Sequence, residues 1–297
     1  MQLALTVVGP ERDALAFGQS RILAALKDVR ARVKEPRPLG EAAVDLILDA
    51  AELAEVRTAA LQAVEGAPVD VVVQPLEGRR KRLFVADMDS TIIGCECLDE
   101  LADYAGKKAE IAAITERAMR GELEFEGALR ERVAMLKGLS VMALQSAYDE
   151  RVRLNPGART LVRTMAADGT RCLLVSGGFT FFTLRVAEAA GFHAQRANTL
   201  GEGEGALTGL VGEPILGREA KLAALTEEAA ALGLDLSATM AVGDGANDLA
   251  MIKAAGLGVA YRAKPIVAAE ADAKVDFADL TALLYFQGYR AEEFVTD

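Results

Sequence analysis

The chain has no tryptophan, one histidine, three cysteines and only 5% aromatic residues among its 297. Each scarcity excludes something. A lone histidine, His193 in a Gly-Phe-His-Ala stretch, leaves at most one candidate for imidazole acid–base chemistry and reads as structural. Three cysteines cannot frame a disulfide scaffold. Cys95 and Cys97 form a CxC, but no second Cys or His pair follows at zinc spacing, so the thiols read as reduced and the working compartment as cytoplasmic. No apolar run reaches the roughly 18 residues of a membrane span. Met1 to Asp13 carries no basic region ahead of an apolar stretch, so no signal peptide is read there. Positive charge is also short. Lys and Arg number 33 against 44 Asp and Glu, for a net charge of -11. That balance argues against a nucleic-acid partner, because phosphate backbones require clustered cations. It leaves small anions open, since a local cationic pocket or a metal can hold them.

What the sequence does contain is a 52% hydrophobic share, ample for a buried core. Residues 3–8, 43–49 and 69–73 read as strands and 13–28 and 53–65 as helices, with a Pro-rich piece around Pro36-Arg37-Pro38. Together they predict a small α+β module over residues 1–75 of the βαββαβ kind. Residues 76–82 read as a linker. A different pattern occupies 83–290. Short apolar strands at 82–86, 171–175, 240–243, 257–261 and 275–277 alternate with helices at 156–168, 179–190, 217–232 and 247–255. This predicts an α/β fold with a doubly wound parallel sheet. Residues 96–150 are helical throughout and too long for a loop, so a helical cap of about 95–150 is read as an insertion.

Three of those strands run into polar residues: Asp87-Met88-Asp89-Ser90-Thr91, Ser176-Gly177-Gly178-Phe179 and Gly243-Asp244-Gly245-Ala246-Asn247-Asp248. In a doubly wound sheet such ends meet at one crevice. Carboxylates gathered there repel unless a cation lies between them, and oxygen ligands of this kind suit Mg²⁺. Asp87 and Asp89, two apart on leaving a strand, point to the same side. One can attack while the other handles a proton. A Ser-Gly-Gly turn before a helix suits phosphate through backbone N–H groups and a hydroxyl.

DxDxT after the first strand, a serine after the second, a lysine ahead of the third and GDxxND resemble the haloacid dehalogenase superfamily. The full strings are closer still to its phosphoserine phosphatases: Asp-Met-Asp-Ser-Thr, Ser-Gly-Gly-Phe, Leu-Gly-Arg-Glu-Ala-Lys (216–221) and Gly-Asp-Gly-Ala-Asn-Asp-Leu. The resemblance covers roughly residues 81–290. It implies Asp87 as nucleophile and Asp89 as acid and base. It implies Mg²⁺ on Asp87, the Asp89 main-chain carbonyl and Asp244. Ser176, Gly177, Lys221 and Asn247 would contact phosphate, with Asp248 orienting Lys221 or a metal-bound water. In the cap, Cys95-Glu96-Cys97-Leu98-Asp99-Glu100 and the segment Phe125 to Val133 carry the match. By it Glu96 takes the ammonium of O-phospho-L-serine, Arg132 its carboxylate, Phe125 closes the pocket and Gly178 leaves it room. Residues 1–75 resemble, more faintly, an amino-acid-sensing ACT domain, which would regulate the enzyme or pair two copies as a homodimer.

Blander readings exist for each residue. A single aspartate after a strand is as readily a turn residue, Ser176 a helix N-cap and Phe125 cap core. Lys221, Glu96 and Arg132 sit on charged helices, where solvated i,i+4 pairs are ordinary. The order of four motifs outweighs these for the catalytic set. Another small phosphomonoester, or transfer to a second alcohol, would keep every motif and change only the cap. A binding or regulatory protein is the reading from a different class. A receiver domain also uses acids, but is shorter and needs no helical insert.

Overall fold

The first module shows why its strands are apolar at most positions on both faces. β1 (Gln2–Val8) lies between β4 (Ala43–Ala50) and β5 (Asp70–Pro75) in an antiparallel sheet, and all three are buried along nearly their whole length. Leu3, Leu5, Val7, Leu46, Leu48, Val71 and Val73 pack beneath two helices, α1 (Arg12–Ala25) and α2 (Leu53–Ala63). The opposite face is covered as well: Val8, Ala43 and Val72 belong to the core of the catalytic domain. A sheet buried on both faces needs continuous apolar strands rather than alternating ones. Two short strands, β2 (Ala31–Val33) and β3 (Arg37–Gly40), flank β4 on its outer side. The strand order β2-β4-β1-β5 is that of a split βαβ unit. The computed structural model describes residues 1–50, 52–119 and 122–296.

The second sheet is wholly parallel. It contains β6 (Leu83–Ala86), β7 (Arg171–Phe179), β8 (Ala194–Asn198), β11 (Thr239–Gly243), β12 (Leu257–Tyr261) and β13 (Ala273–Val275), in the order β13-β12-β11-β6-β7-β8. The chain winds outward from β6 in one direction and then returns to wind outward in the other. The reversal puts the crevice beyond the carboxyl ends of β6, β7 and β11. Helices α7 (Ala158–Ala167), α8 (Thr180–Ala190), α9 (Glu219–Ala231), α10 (Leu249–Ala254), α11 (Pro265–Glu270) and α12 (Ala282–Phe286) complete this domain. Among the described residues the cap has four helices, α3 (Cys97–Tyr104), α4 (Lys108–Met119), α5 (Phe125–Ala134) and α6 (Met142–Arg151).

Cap and core share a two-stranded hinge. Ile93 bridges Leu154, Gly94 N–H donates to the Arg153 carbonyl at 3.2 Å, and Asn155 N–H donates to the Ile92 carbonyl at 2.8 Å. A hairpin that the sequence did not announce, β9 (Leu200–Gly203) with β10 (Ala206–Val211), leaves the core and joins the cap. Gly138 N–H donates to the Leu207 carbonyl, and Leu207 N–H to that of Leu139.

The module and the core are stitched together by buried polar groups. The Asp70 carboxylate, 2% exposed, accepts the N–H groups of Asp276, Phe277 and Ala278. Gln74 donates to the Phe286 carbonyl at 2.6 Å, and Asp45 takes both Thr6 and Arg79. Burial pushes the Asp70 carboxyl up, against the pull of its three N–H donors. Asp70→Ala removes the acceptor and leaves those donors unpaired. The expected loss is about 3 kcal/mol of unfolding free energy, read from urea denaturation; a change below a tenth of that would mean that water replaces the carboxylate.

Candidate active site

Asp87 follows β6 directly, and its Oδ1 accepts the N–H of Met88 at 2.8 Å and so fixes the turn. Facing it, Lys221 projects from α9 with Nζ 2.7 Å from Asp87 Oδ1 and 2.6 Å from Asp248 Oδ1. All three side chains are essentially buried. Asp248 has its second oxygen engaged by the N–H groups of Asp244 and Gly245, at 3.2 and 3.0 Å. The loop after β11 therefore wraps around Asp248. Gly243 has to be glycine there, because a Cβ would overlap the Asp248 side chain.

Asp89 is turned away from this group. Its Oδ1 accepts the N–H of Cys97 at 2.9 Å, and its Oδ2 accepts the hydroxyl of Ser176 at 3.0 Å. Ser176 Oγ in turn accepts Gly178 N–H at 2.8 Å. β7 runs on through the expected Ser-Gly-Gly turn to Phe179, with a register shift after Val175. A Cβ at Gly178 would stand 3.0 Å from both Asp89 Oδ2 and Ser176 Oγ, so glycine there allows this crowding. A Cβ at Gly177 would sit 3.3 Å from the ring of Phe125, which places the cap directly upon this strand end.

Electrostatics follow from burial. Desolvation, and then the Asp248 charge, push the Asp87 carboxyl well above its ordinary range, with Lys221 opposing. Desolvation also raises Asp89, and Asp244 with help from Asp248. Lys221 loses solvation, but its two carboxylate partners outweigh that loss and raise it. One oxygen from each of Asp87, Asp244 and Asp248 falls within a 4.8 Å cluster. One lysine does not balance these carboxylates, so the donor set fits a hard divalent cation, which would return Asp87 to its ionised form. Because both Asp248 oxygens are already engaged, Asp87 and Asp244 are the side chains best placed to hold it.

Toward the cap, Ser90 adopts φ 56° and its hydroxyl donates to Glu96 Oε1 at 2.6 Å. The Glu96 side chain has solvent access, yet surrounding protein atoms, then Asp89, raise its carboxyl to about 7. Arg132 Nε donates to the Ala128 carbonyl at 3.3 Å; desolvation lowers its guanidinium, opposed by Asp99 and Glu96. Asn247 lies on the Asp244 loop with its Oδ1 against Gly245. The sequence-derived set thus gathers at one crevice: Asp87, Asp89, Ser176, Gly177, Gly178, Lys221, Asp244 and Asp248 below, Phe125 and Glu96 above.

Sequence reasoning missed Asn198. At the end of β8 and 2% exposed, its amide donates to the Gly177 carbonyl at 2.9 Å and to the Leu216 carbonyl at 3.3 Å, and its Oδ1 accepts Leu216 N–H at 2.7 Å. It ties the Ser176 turn to the start of the segment that carries Lys221. The only sequence signal is an amide at a strand's carboxyl end. Asn198→Ala should cost about 2 kcal/mol of stability. It should also lower turnover at least about tenfold through misplaced groups, and urea unfolding with initial rates reads both.

Comparison with known proteins agrees with this geometry. The haloacid dehalogenase-like hydrolase profile matches residues 84–253. A phosphoserine phosphatase of Polaromonas sp. is 47% identical over 224 residues, covering 74% of this chain and 95% of that protein. A haloacid dehalogenase family hydrolase from Salmonella enterica serovar Typhi superposes with a TM-score of 0.84 at 28% identity, over 97% of this chain and 99% of its own. A phosphoserine phosphatase structure holding a phospho-aspartyl intermediate analogue gives 0.65 at 38% identity, over 70% of this chain and 99% of its own. The chain belongs to the haloacid dehalogenase-like hydrolases, and within them to the phosphoserine phosphatases.

Proposed function

We propose that the protein hydrolyses O-phospho-L-serine to L-serine and phosphate, with Mg²⁺ as cofactor, through an aspartyl phosphate on Asp87. The observation that carries this is the separate anchoring of two neighbouring carboxylates. Asp87 is held by Lys221, while Asp89 is held by Ser176 and the Cys97 amide. A carboxylate oxygen of Asp87 attacks phosphorus as the bond to the serine oxygen breaks. Asp89, raised by burial, suits the protonated form and gives its proton to that oxygen. It then takes a proton from the water that attacks the aspartyl phosphate, and Asp87 is released.

Lys221, Ser176 Oγ and Gly177 would face the phosphoryl oxygens, with Asn247 beside them and Gly178 leaving the substrate room; such transfers depend on positioning and charge. Asp87, Asp244 and the Asp89 main-chain carbonyl would hold the Mg²⁺, which offsets phosphate charge. Asp248 orients Lys221. Glu96 and Arg132 would read the ammonium and carboxylate, and Phe125 would close the pocket. An ACT-like reading of residues 1–75 draws support from the sheet order. As β5 abuts the core, pairing in a homodimer would use the β2–β3 edge. No described helix is long and apolar enough to cross a membrane.

The test is phosphate release from L-phosphoserine, D-phosphoserine, phosphothreonine, a sugar phosphate and p-nitrophenyl phosphate, each with Mg²⁺ and with EDTA. Preference for L-phosphoserine that disappears with EDTA is expected. Metal-dependent turnover with another preference would keep Asp87 and discard Glu96 and Arg132 as the serine reader.

A further inference from the structure

A second cleft, of about 240 Å³, lies apart from the catalytic crevice and straddles the cap hinge. Tyr148 and Val152 reach it from the end of α6, and Arg153 and Leu154 from the returning hinge strand. Arg159 of α7 and Val186 of α8 line it from the core. One wall therefore belongs to the cap and its connection, and the other to the core.

The lining has a definite chemistry. Its charged side chains are guanidinium groups, its neutral polar group is a phenol, and the rest is aliphatic. The Arg153 terminal nitrogens donate to the Val152 and Asp149 carbonyls at 2.7 and 2.9 Å. Neutral acceptors fix that guanidinium without neutralising it. Arg185 stands beside Tyr148, its guanidinium 3.6 Å over the Phe181 ring and donating to the Phe181 carbonyl. The described lining holds two guanidinium groups, Arg153 and Arg159, and no carboxylate. Its complement is an anion with an apolar body: the anion meets the guanidinium fork, and the body meets Val152, Leu154 and Val186.

The main chain of Arg153 is itself part of the hinge, accepting Gly94 N–H, and Leu154 bridges Ile93. The cleft has this shape with Phe125 seated on the Gly177 turn. A ligand that touches both walls binds this arrangement more tightly than one with α6 swung away, and so shifts the population toward it. We propose that the cleft is an effector site for a small carboxylate with an apolar body, and that occupancy holds the cap down.

Phenylacetate is the probe, with benzyl alcohol as its uncharged counterpart. Calorimetry on the full chain should show binding of phenylacetate and not of the alcohol. With L-phosphoserine and Mg²⁺, phenylacetate should lower kcat and KM together, by about fivefold, because cap opening is slowed after substrate has entered. Arg153→Gln should abolish both the heat and the kinetic effect while leaving basal turnover unchanged. Should that variant unfold, Arg185→Gln carries the test, with affinity weakened about fivefold. Absence of a binding heat would overturn the proposal. So would a rise in KM at constant kcat in wild type and variant alike, which places the carboxylate on Arg132. The calorimetry does not depend on turnover, so failure of the substrate reading and failure of the cleft reading are distinguishable.

Discussion

Asp87→Asn is expected to reduce phosphate release by about four orders of magnitude or more, with the fold retained. An amide oxygen is a poor nucleophile toward phosphorus, and no other described carboxylate shares the position. Asp89 is turned toward Ser176 and the Cys97 amide, and both oxygens of Asp248 are engaged. Stability should change little. The substitution removes a buried charge whose desolvation is unfavourable, and Lys221 keeps Asp248 as its partner at 2.6 Å. Initial rates, far-UV circular dichroism and a thermal melt check the three statements. An unaltered rate would remove Asp87 from the chemistry.

The second large effect is selective. Arg132→Ala should lower kcat/KM for L-phosphoserine about 100-fold, the scale of a lost charge-assisted fork. Turnover of p-nitrophenyl phosphate, which lacks a carboxylate, should change by no more than about twofold. Arg132 bonds the Ala128 carbonyl of its own helix, and desolvation disfavours its charge while Asp99 and Glu96 support it. A guanidinium kept there gains from an anionic substrate. Equal losses on both substrates would reduce Arg132 to a cap-packing residue.

The candidate site residues were readable because strands such as 82–86 and 240–243 are short apolar runs followed abruptly by acids, and a doubly wound sheet brings such ends together. The parallel sheet and the helical cap follow from the same alternation. Other parts were hidden for physical reasons. The Pro36-Arg37-Pro38 piece opens β3 (Arg37–Gly40), where proline is tolerated because the strand pairs on one side only. Residues 200–211 are rich in glycine and are assigned no element from the sequence, yet they form a hairpin stabilised by the cap, a tertiary contact that no local pattern reports. The strand read at 275–277 is β13 at 273–275, because the N–H groups of 276–278 go to Asp70 rather than to a neighbouring strand. Asn198 shows the same limit: its importance lies in two loops that meet only in three dimensions.

The seam between Gln74 and Phe286 spans 212 residues of chain. During synthesis at about 5–20 residues per second, a first sheet complete at residue 75 waits roughly ten to forty seconds for its cover. Throughout that interval Val8, Ala43, Val72 and Gln74 face water, although their own strands and helices are already made. The amino-terminal module therefore carries an uncovered apolar face while the rest of the chain is made, and its maturation is timed by the emergence of the segment that contains α12.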